Sequence, residues 1–382
     1  MMDLPLEGLV VLEFSQYLSG PSAGLRLADL GARVIKIERP GTGDAGRKLS
    51  IKNLWVDDSS LLFHTINRNK ESFTANLKNA DDLGLIKKLI VKADVLIHNF
   101  RPGVMNKSGL DYDSVKEINP RLIYAELSGY GKEGPWRSKP GQDLLLQSMT
   151  GLAFTTGNDS SGPVPFGIAI ADILSGSQLV QGILAALIRR QKKGVGALIE
   201  ISLMESLLDF QFELLTTYYT SHQQPKRSNI NNGHPLLSAP YGVYKTSDGF
   251  IALAMMDITV LAKAIDCAML ENFSTEEAFA KRDEIKEILA TYLSLQSTAY
   301  WLTRLQVEGL WAMEVFDWEK MMNHPAYKSL QMEQMVIAGD RQLITTRCPI
   351  RINGNRLYSD KSAPKLGEHN EKIMTELSIG QE

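Results

Sequence analysis

Cysteine is scarce in this chain of 382 residues: there are two, Cys267 and Cys348, far apart in sequence. A disulfide framework is therefore not expected, and a reducing cytoplasm is the expected compartment. No apolar run approaches the roughly 20 residues of a membrane span, so no membrane partner is expected. The opening segment MMDLPLEGL has no basic stretch followed by an apolar one, which gives no sign of a signal peptide. An excess of one charge is missing too. The 41 Lys and Arg face 44 Asp and Glu, for a net charge of −3, which provides no general attraction to nucleic acid or to an anionic membrane. An anionic ligand must then be held by a local cluster of cations.

Cofactor motifs are absent as well. After the first apolar run the sequence is SQYLSGPSAG rather than G-x-G-x-x-G, and no G-x-x-x-x-G-K-[ST] occurs, which argues against a dinucleotide enzyme or a P-loop NTPase. The six histidines (His64, His98, His222, His234, His324 and His369) form no H-x-x-H or H-E-x-x-H pair. No metal site is expected.

The chain does contain 44% hydrophobic residues, enough for a large core and for two domains. Leu9–Phe14, Val34–Glu38, Asp94–His98 and Leu122–Leu127 read as buried strands, and Pro21–Leu30 and Ala80–Lys92 as helices between them. This alternation predicts a doubly wound α/β domain with a parallel sheet, whose ligands gather at the carboxyl ends of the strands. Those ends carry Ser15–Ser19, Arg39, Asn99–Arg101 and Ser128–Tyr130. Further on, Glu205–Ser221 reads as one amphipathic helix and HQQPKRSNINNGHP as a linker or loop. APYGVYKTSDGFIALAMM reads as a hairpin turning at Thr246–Gly249. Helical patterns follow at Thr259–Met269, Ser274–Leu295 and Ala299–Val307.

The most telling stretch is GIAIADILSGSQLVQGILAAL, residues 167–187, where Asp172 stands among apolar and small residues at the start of a helical pattern. Asp is a favoured N-cap, and that is the plain reading. The sharper one is a nucleophile, a carboxylate backed by helix N–H groups with room beside it for a substrate.

Several separate motifs favour the second reading. LEGLVVLEFSQYLSGPSAGLRLADLGARVIKIERPGTGD, DVLIHNFRPGVMNKSGLDYDSVKEINPRLIYAELSGYGKEGP, the Asp172 segment, GVGALIEISLMESLLDF and KLGEHNEKI cover about two thirds of the chain, and in order they resemble the family III CoA-transferases, the CaiB/BaiF family. The resemblance implies a large Rossmann-like α/β domain with the catalytic aspartate over residues 1–225. It also implies a smaller α+β domain over 226–330, a C-terminal segment 331–382 returning to the large domain, and an interlocked homodimer. Asp172 is similar to the family nucleophile. Leu18, Ser19, Arg39, Ala75, Asn76, Leu77, Lys78, Asn99, Phe100, Arg101, Lys107, Pro140, Gly141, Gln142 and Asp143 resemble its CoA-binding set. No permanently bound cofactor is implied, because coenzyme A enters as part of the substrate; the partners are an acyl-CoA and small carboxylic acids, with no nucleic acid. His98 is expected to be packed or hydrogen-bonded near the CoA site. Family members shield the reaction with a flexible glycine-rich loop, where this chain reads NINNGHPLLSAPYG with only Gly233 and Gly242.

The same superfamily contains α-methylacyl-CoA racemases, which resemble this chain around GQDLLLQ but carry histidine where Gln142 stands. An amide cannot take up a proton at neutral pH, which favours transfer. Asp257 lies near where racemases carry a further carboxylate; its preferred reading is a turn residue at a strand end. A third reading is an inactive acyl-CoA-binding relative.

Overall fold

The computed structural model describes residues 4–379. Six parallel strands form the main sheet: β1 (Val10–Glu13), β2 (Arg33–Glu38), β3 (Glu71–Thr74), β4 (Val95–His98), β5 (Ile123–Ser128) and β6 (Ala197–Ser202). They lie in the order β3-β2-β1-β4-β5-β6. The chain order reverses between β1 and β4, so the loops leaving these two strands diverge and open a crevice at the carboxyl edge. The four strands read from the sequence are all present. The two that were not, β3 and β6, are the two edges of the sheet, where one flank is unpaired and no continuous apolar run is required.

Helix α1 (Ser19–Asp29) sits directly on the sheet because Gly20 and Gly24, one turn apart, face it. A Cβ on Gly24 would collide with the Glu13 carboxylate, and one on Gly20 with the Ser15 side chain. Helix α2 (Ala80–Lys92) begins at Asn79, whose side chain accepts the N–H groups of Asp81 and Asp82. It buries Ile86, Leu89 and Ile90 on one face. These pack with Leu12, Phe14, Ile35, Ile37, Phe73, Leu96 and Tyr124, and with Ile373 and Leu377 from the C-terminal helix Asn370–Ile379.

Helix α5 (Ile170–Lys193) follows two shorter helices, α3 (Tyr112–Ile118) and α4 (Asp143–Met149). Although the sequence shows no long uninterrupted apolar run, α5 is the one described helix long and apolar enough to cross a membrane by length and composition. It is instead a core helix. Ala171, Ser175, Gly176, Leu179, Val180, Ile183, Ala186 and Leu187 are buried, and it packs along α1 and β6.

The chain separates into two compact units, residues 1–146, 169–207 and 330–382 in one, and 147–168 and 208–329 in the other. The smaller unit thus takes in 147–168 and 208–225, which the sequence reading placed in the large domain. Arg227 is the physical reason for part of this: its buried guanidinium donates to the carbonyls of Thr156 and Gly162 and ties residues 155–162 to the segment around 227. The expected hairpin pairs Gly242–Lys245 with Phe250–Leu253, and Ala312–Glu314 adds a third strand. Glu205–Ser221 is not one helix but two, Leu203–Phe210 and Phe212–Ser221, broken at Gln211. The segment read as a linker is anchored. Arg282 donates to the carbonyls of Lys226 and Pro235, and the wholly buried Lys286 donates to Ser228 Oγ and the Asn231 carbonyl, each at 3.0 Å.

Candidate active site

Asp172 occupies the third position of α5, not its cap. Ala169 holds the cap position and has no side chain to offer. The cap is supplied from elsewhere, by Asp143 Oδ1, which accepts the Ala171 N–H at 2.6 Å. The Asp172 carboxylate is therefore not consumed in starting its own helix. Its pKa is raised to about 6, first by burial and then by the negative charge of Asp143; a hydrogen bond from the Ser19 side chain opposes both.

Helices α1 and α5 approach closely on this side of Asp172. Gly176 lies one turn beyond Asp172, and a Cβ there would come within 2.6 Å of the Ser19 carbonyl oxygen. The turn that delivers Ser19 is tied down from beneath. Lys36 donates to the Ser15 carbonyl at 2.8 Å, Asp44 Oδ1 accepts the Tyr17 N–H at 3.1 Å, and Lys70 donates to the Pro21 carbonyl at 2.8 Å. The two lysines share Glu13, one on each carboxylate oxygen, and Lys36 also pairs with Asp44. Burial alone would push both lysines down. For Lys36 the charges of Glu13 and Asp44 outweigh it and raise the pKa, whereas Lys70 is left lowered to about 8. Tyr17 is held at φ 65°, a left-handed conformation that costs a non-glycine residue about 1–3 kcal/mol and persists only where its surroundings enforce it.

Beside this turn lies a cavity of about 210 Å³ lined by Phe14, Gln16, Ile37, Glu38, Arg39, Ala75, Asn76, Leu77, Lys78 and Phe100. The structure thus gathers Arg39, Ala75–Lys78 and Phe100 from the sequence-derived set. It adds Phe14, Gln16, Ile37 and Glu38, which carried no sequence signal beyond lying at strand ends. Arg101 and Lys107 are exposed on the segment after β4, and Ser108 donates to the Leu77 carbonyl at 3.3 Å. Leu18 is half-buried at the start of α1. Pro140, Gly141 and Gln142 are exposed; Gly141 abuts Gly129 so tightly that a Cβ on either would clash with the other's Cα. His98 is buried between Phe100, stacked at 6.1 Å, and Tyr124, edge-on at 5.3 Å. Burial first, then the charge of Lys132, lowers its pKa to about 4. It is a packed, neutral ring near the cavity.

A larger cavity, about 810 Å³, lies at the opposite ends of the strands, where Arg33 and Glu71 begin β2 and β3. Three of its cations are engaged: Arg33 pairs with Glu71 and Glu376, Lys372 with Glu71, and Lys70 with Glu13. In the smaller unit, Asp257 caps the helix Ile258–Ala264, accepting from Thr259 and Val260 N–H and from the Thr275 hydroxyl. These bonds, led by those from the Thr259 and Thr275 side chains, lower its pKa to about 2. Where the sequence suggested a turn residue at a strand end, Asp257 is a helix cap four residues beyond the strand Phe250–Leu253.

Comparison with known proteins identifies the family. The family model described as CoA-transferase family III matches residues 6–370. The chain belongs to this family. The succinate–glutarate CoA-transferase of Agrobacterium fabrum is 33% identical over 98% of this chain and 96% of its own length. The acetyl-CoA:oxalate CoA-transferase of Acetobacter aceti is 33% identical with the same coverage. Among solved structures, a CAIB/BAIF family protein from Brucella suis superposes with a TM-score of 0.85 at 32% identity, covering 98% of this chain and 100% of that one. This family III member is accordingly an enzyme of the CoA-transferase type.

Proposed function

We propose that the enzyme moves CoA from an acyl-CoA to a free carboxylic acid through covalent intermediates on Asp172. Attack of one carboxylate on a thioester is slow, and a nucleophile divides it into easier steps. An Asp172 oxygen attacks the acyl-CoA carbonyl; the C–S bond breaks, leaving a mixed anhydride and CoA thiolate. The thiolate attacks the Asp172 Cγ and expels the donor acid as its carboxylate, leaving an aspartyl-CoA thioester. An acceptor carboxylate repeats the two steps in reverse and regenerates Asp172. No proton changes hands and no oxidant is needed.

The observation that carries this reading is the state of Asp172. It lies at a helix N-terminus whose cap is another residue, half-buried, with a pKa of about 6 that leaves it mostly ionised at neutral pH yet poorly solvated and reactive. Arg39 and Lys78, beside the 210 Å³ cavity, are assigned to the phosphates of CoA, and its apolar wall of Phe14, Ile37, Leu77 and Phe100 to the adenine. Racemisation would need a second proton carrier. Gln142 is an amide, and Asp257 is engaged as a helix cap.

The test is mass spectrometry of the protein after incubation with succinyl-CoA or acetyl-CoA, using glutarate and oxalate as acceptors, the acids named for the two relatives. A CoA thioester on the peptide containing Asp172, and CoA transfer lost in Asp172→Ala, are expected. Transfer that survives in Asp172→Ala ends the covalent reading. Tight CoA binding with no adduct and no transfer from any donor would make the chain a binding protein.

A further inference from the structure

The motif KLGEHNEKI, residues 365–373, supplies no group to the transfer reaction, and its place in the fold gives it another task. The 210 Å³ cavity has two flanks. On the side of β1 and β4, Asn99 holds Gln16 by both backbone groups: its Oδ1 accepts the Gln16 N–H at 2.8 Å and its Nδ2 donates to the Gln16 carbonyl at 2.7 Å. The same Nδ2 approaches Ser19 Oγ at 3.4 Å. On the other side the wall consists of Glu38 and Arg39 at the end of β2 and Ala75–Lys78 after β3. Strand β3 is the edge of the sheet, so no further strand holds it. Ala75 gives its N–H to the Glu38 carbonyl at 2.9 Å, and alternation along the strand turns the backbone groups of Ser72 and Thr74 outward.

KLGEHNEKI takes the place of the missing strand. His369 Nδ1 accepts the Ser72 N–H at 3.3 Å, and the Ser72 carbonyl accepts the His369 N–H at 3.1 Å. Asn370 Oδ1 accepts the Thr74 N–H at 2.9 Å, while its Nδ2 donates to Thr74 Oγ1 at 2.8 Å. Gly367 donates its N–H to Ser72 Oγ at 2.9 Å, and that hydroxyl donates in turn to Glu38 Oε1 at 2.7 Å, in the cavity wall. Arg47 adds a parallel tie, from the Pro364 carbonyl at 3.1 Å to Glu38 Oε1 at 2.6 Å.

We infer that Asn370 is a positioning residue for CoA: by pinning Thr74 at the sheet edge it fixes the loop Ala75–Lys78, and with it the separation of Lys78 from Arg39. This rests on the reading of the 210 Å³ cavity as the CoA site. The two cations leave adjacent strands, and only a fixed edge lets them meet the phosphates of one ligand at a set distance. Without the Asn370 bonds the end of β3 is free to open, and CoA must order the loop as it binds. That cost falls on affinity and not on the chemistry at Asp172.

The experiment is calorimetry with free CoA on Asn370→Ala, Lys78→Ala, Arg39→Ala and the double variant Asn370→Ala with Lys78→Ala, with Tm measured for each. Asn370→Ala should weaken CoA binding by about five- to tenfold, the effect of losing one or two hydrogen bonds. In the double variant affinity falls little below that of Lys78→Ala alone, because a loop without its cation has little left to position. Turnover divides the same way: KM for the acyl-CoA rises while kcat stays within about twofold. Asn370→Asp restores affinity, since a carboxylate accepts both the Thr74 N–H and the Thr74 hydroxyl. Thr74→Val removes only that hydroxyl and weakens CoA by about twofold or more; it carries the test if Asn370→Ala does not fold. A purely structural role would lower Tm and leave the Kd of these variants unmoved, which overturns the inference. Losses that multiply in full in the double variant overturn it as well. If neither Arg39→Ala nor Lys78→Ala weakens CoA binding, the cavity is not the CoA site, and the positioning role falls with that reading.

Discussion

Asp143 caps the helix that bears Asp172, accepting the Ala171 N–H at 2.6 Å one residue before Asp172. Two acids share one helix end, and only one of them is committed to the backbone. The uncommitted one is Asp172, whose charge is disfavoured by burial and by its neighbour. An oxygen so placed gains reactivity from poor solvation.

The first prediction concerns pH. On the proposed mechanism CoA transfer needs the Asp172 carboxylate, so kcat/KM should be flat above about 7 and fall below about 6 as the group protonates. The sign for stability is opposite. The folded pKa lies above the ordinary value of 3.8, so ionisation costs the folded state nothing below 3.8 and its full amount above about 6. Asp172→Asn should therefore be more stable than the unaltered enzyme at pH 7.5, by on the order of 2 kcal/mol, and equally stable near pH 4. Thermal melts at the two pH values measure this; an Asp172→Asn protein that melts lower at pH 7.5 contradicts it.

Asp143 should separate into two roles by choice of substitution. Asn retains a carbonyl oxygen for the Ala171 N–H but removes the charge, so Asp143→Asn should lower the acid limb of the rate profile with little change in Tm. Asp143→Ala also removes the cap, which costs about 0.5–2 kcal/mol. A pH–rate profile and a melt of each variant distinguish the effects. An acid limb that stays put in both variants removes Asp143 as a cause of the raised Asp172 pKa.

Arg39→Ala and Lys78→Ala should weaken CoA binding more than they slow turnover. Each removes a charge-assisted contact, worth about 1.5–3 kcal/mol, or roughly 10- to 150-fold in Kd. For whichever residue holds the 3′-phosphate, the loss should disappear with dephospho-CoA. Calorimetry with both forms is the measurement, and unchanged affinity for both would empty the 210 Å³ cavity of this role.

Gly176→Ala should destabilise, against the usual trend. In a helix interior alanine is better than glycine by about 1 kcal/mol. Here the added Cβ would meet the Ser19 carbonyl oxygen at 2.6 Å, and such overpacking typically costs about 1–3 kcal/mol. Separation of α1 from α5 should also draw Ser19 away from Asp172 and lower kcat without weakening CoA binding. A Tm above that of the unaltered enzyme would show that the two helices can part freely.

The sequence by itself determined the α/β class, the four inner strands and the position of Asp172 on a helix. It also supplied the family, because several motifs in order are a strong signal and because buried apolar runs and helical spacing are local properties of the chain. It left β3 and β6 unread, since edge strands lack the apolar run that burial on both flanks imposes. The break at Gln211 was hidden too, as amphipathic spacing continues across it. The set around Arg39 and Ala75–Lys78 came through resemblance, and only folding placed Phe14 and Gln16 beside it. What tertiary structure alone decided is the electrostatic state of Asp172. Asp143 is 29 positions from Asp172 and Asn99 is 80 from Ser19. Neither separation has a period or a motif, and the meeting depends on a strand reversal and on Gly176, which lets two helices approach to within a distance that no side chain would allow.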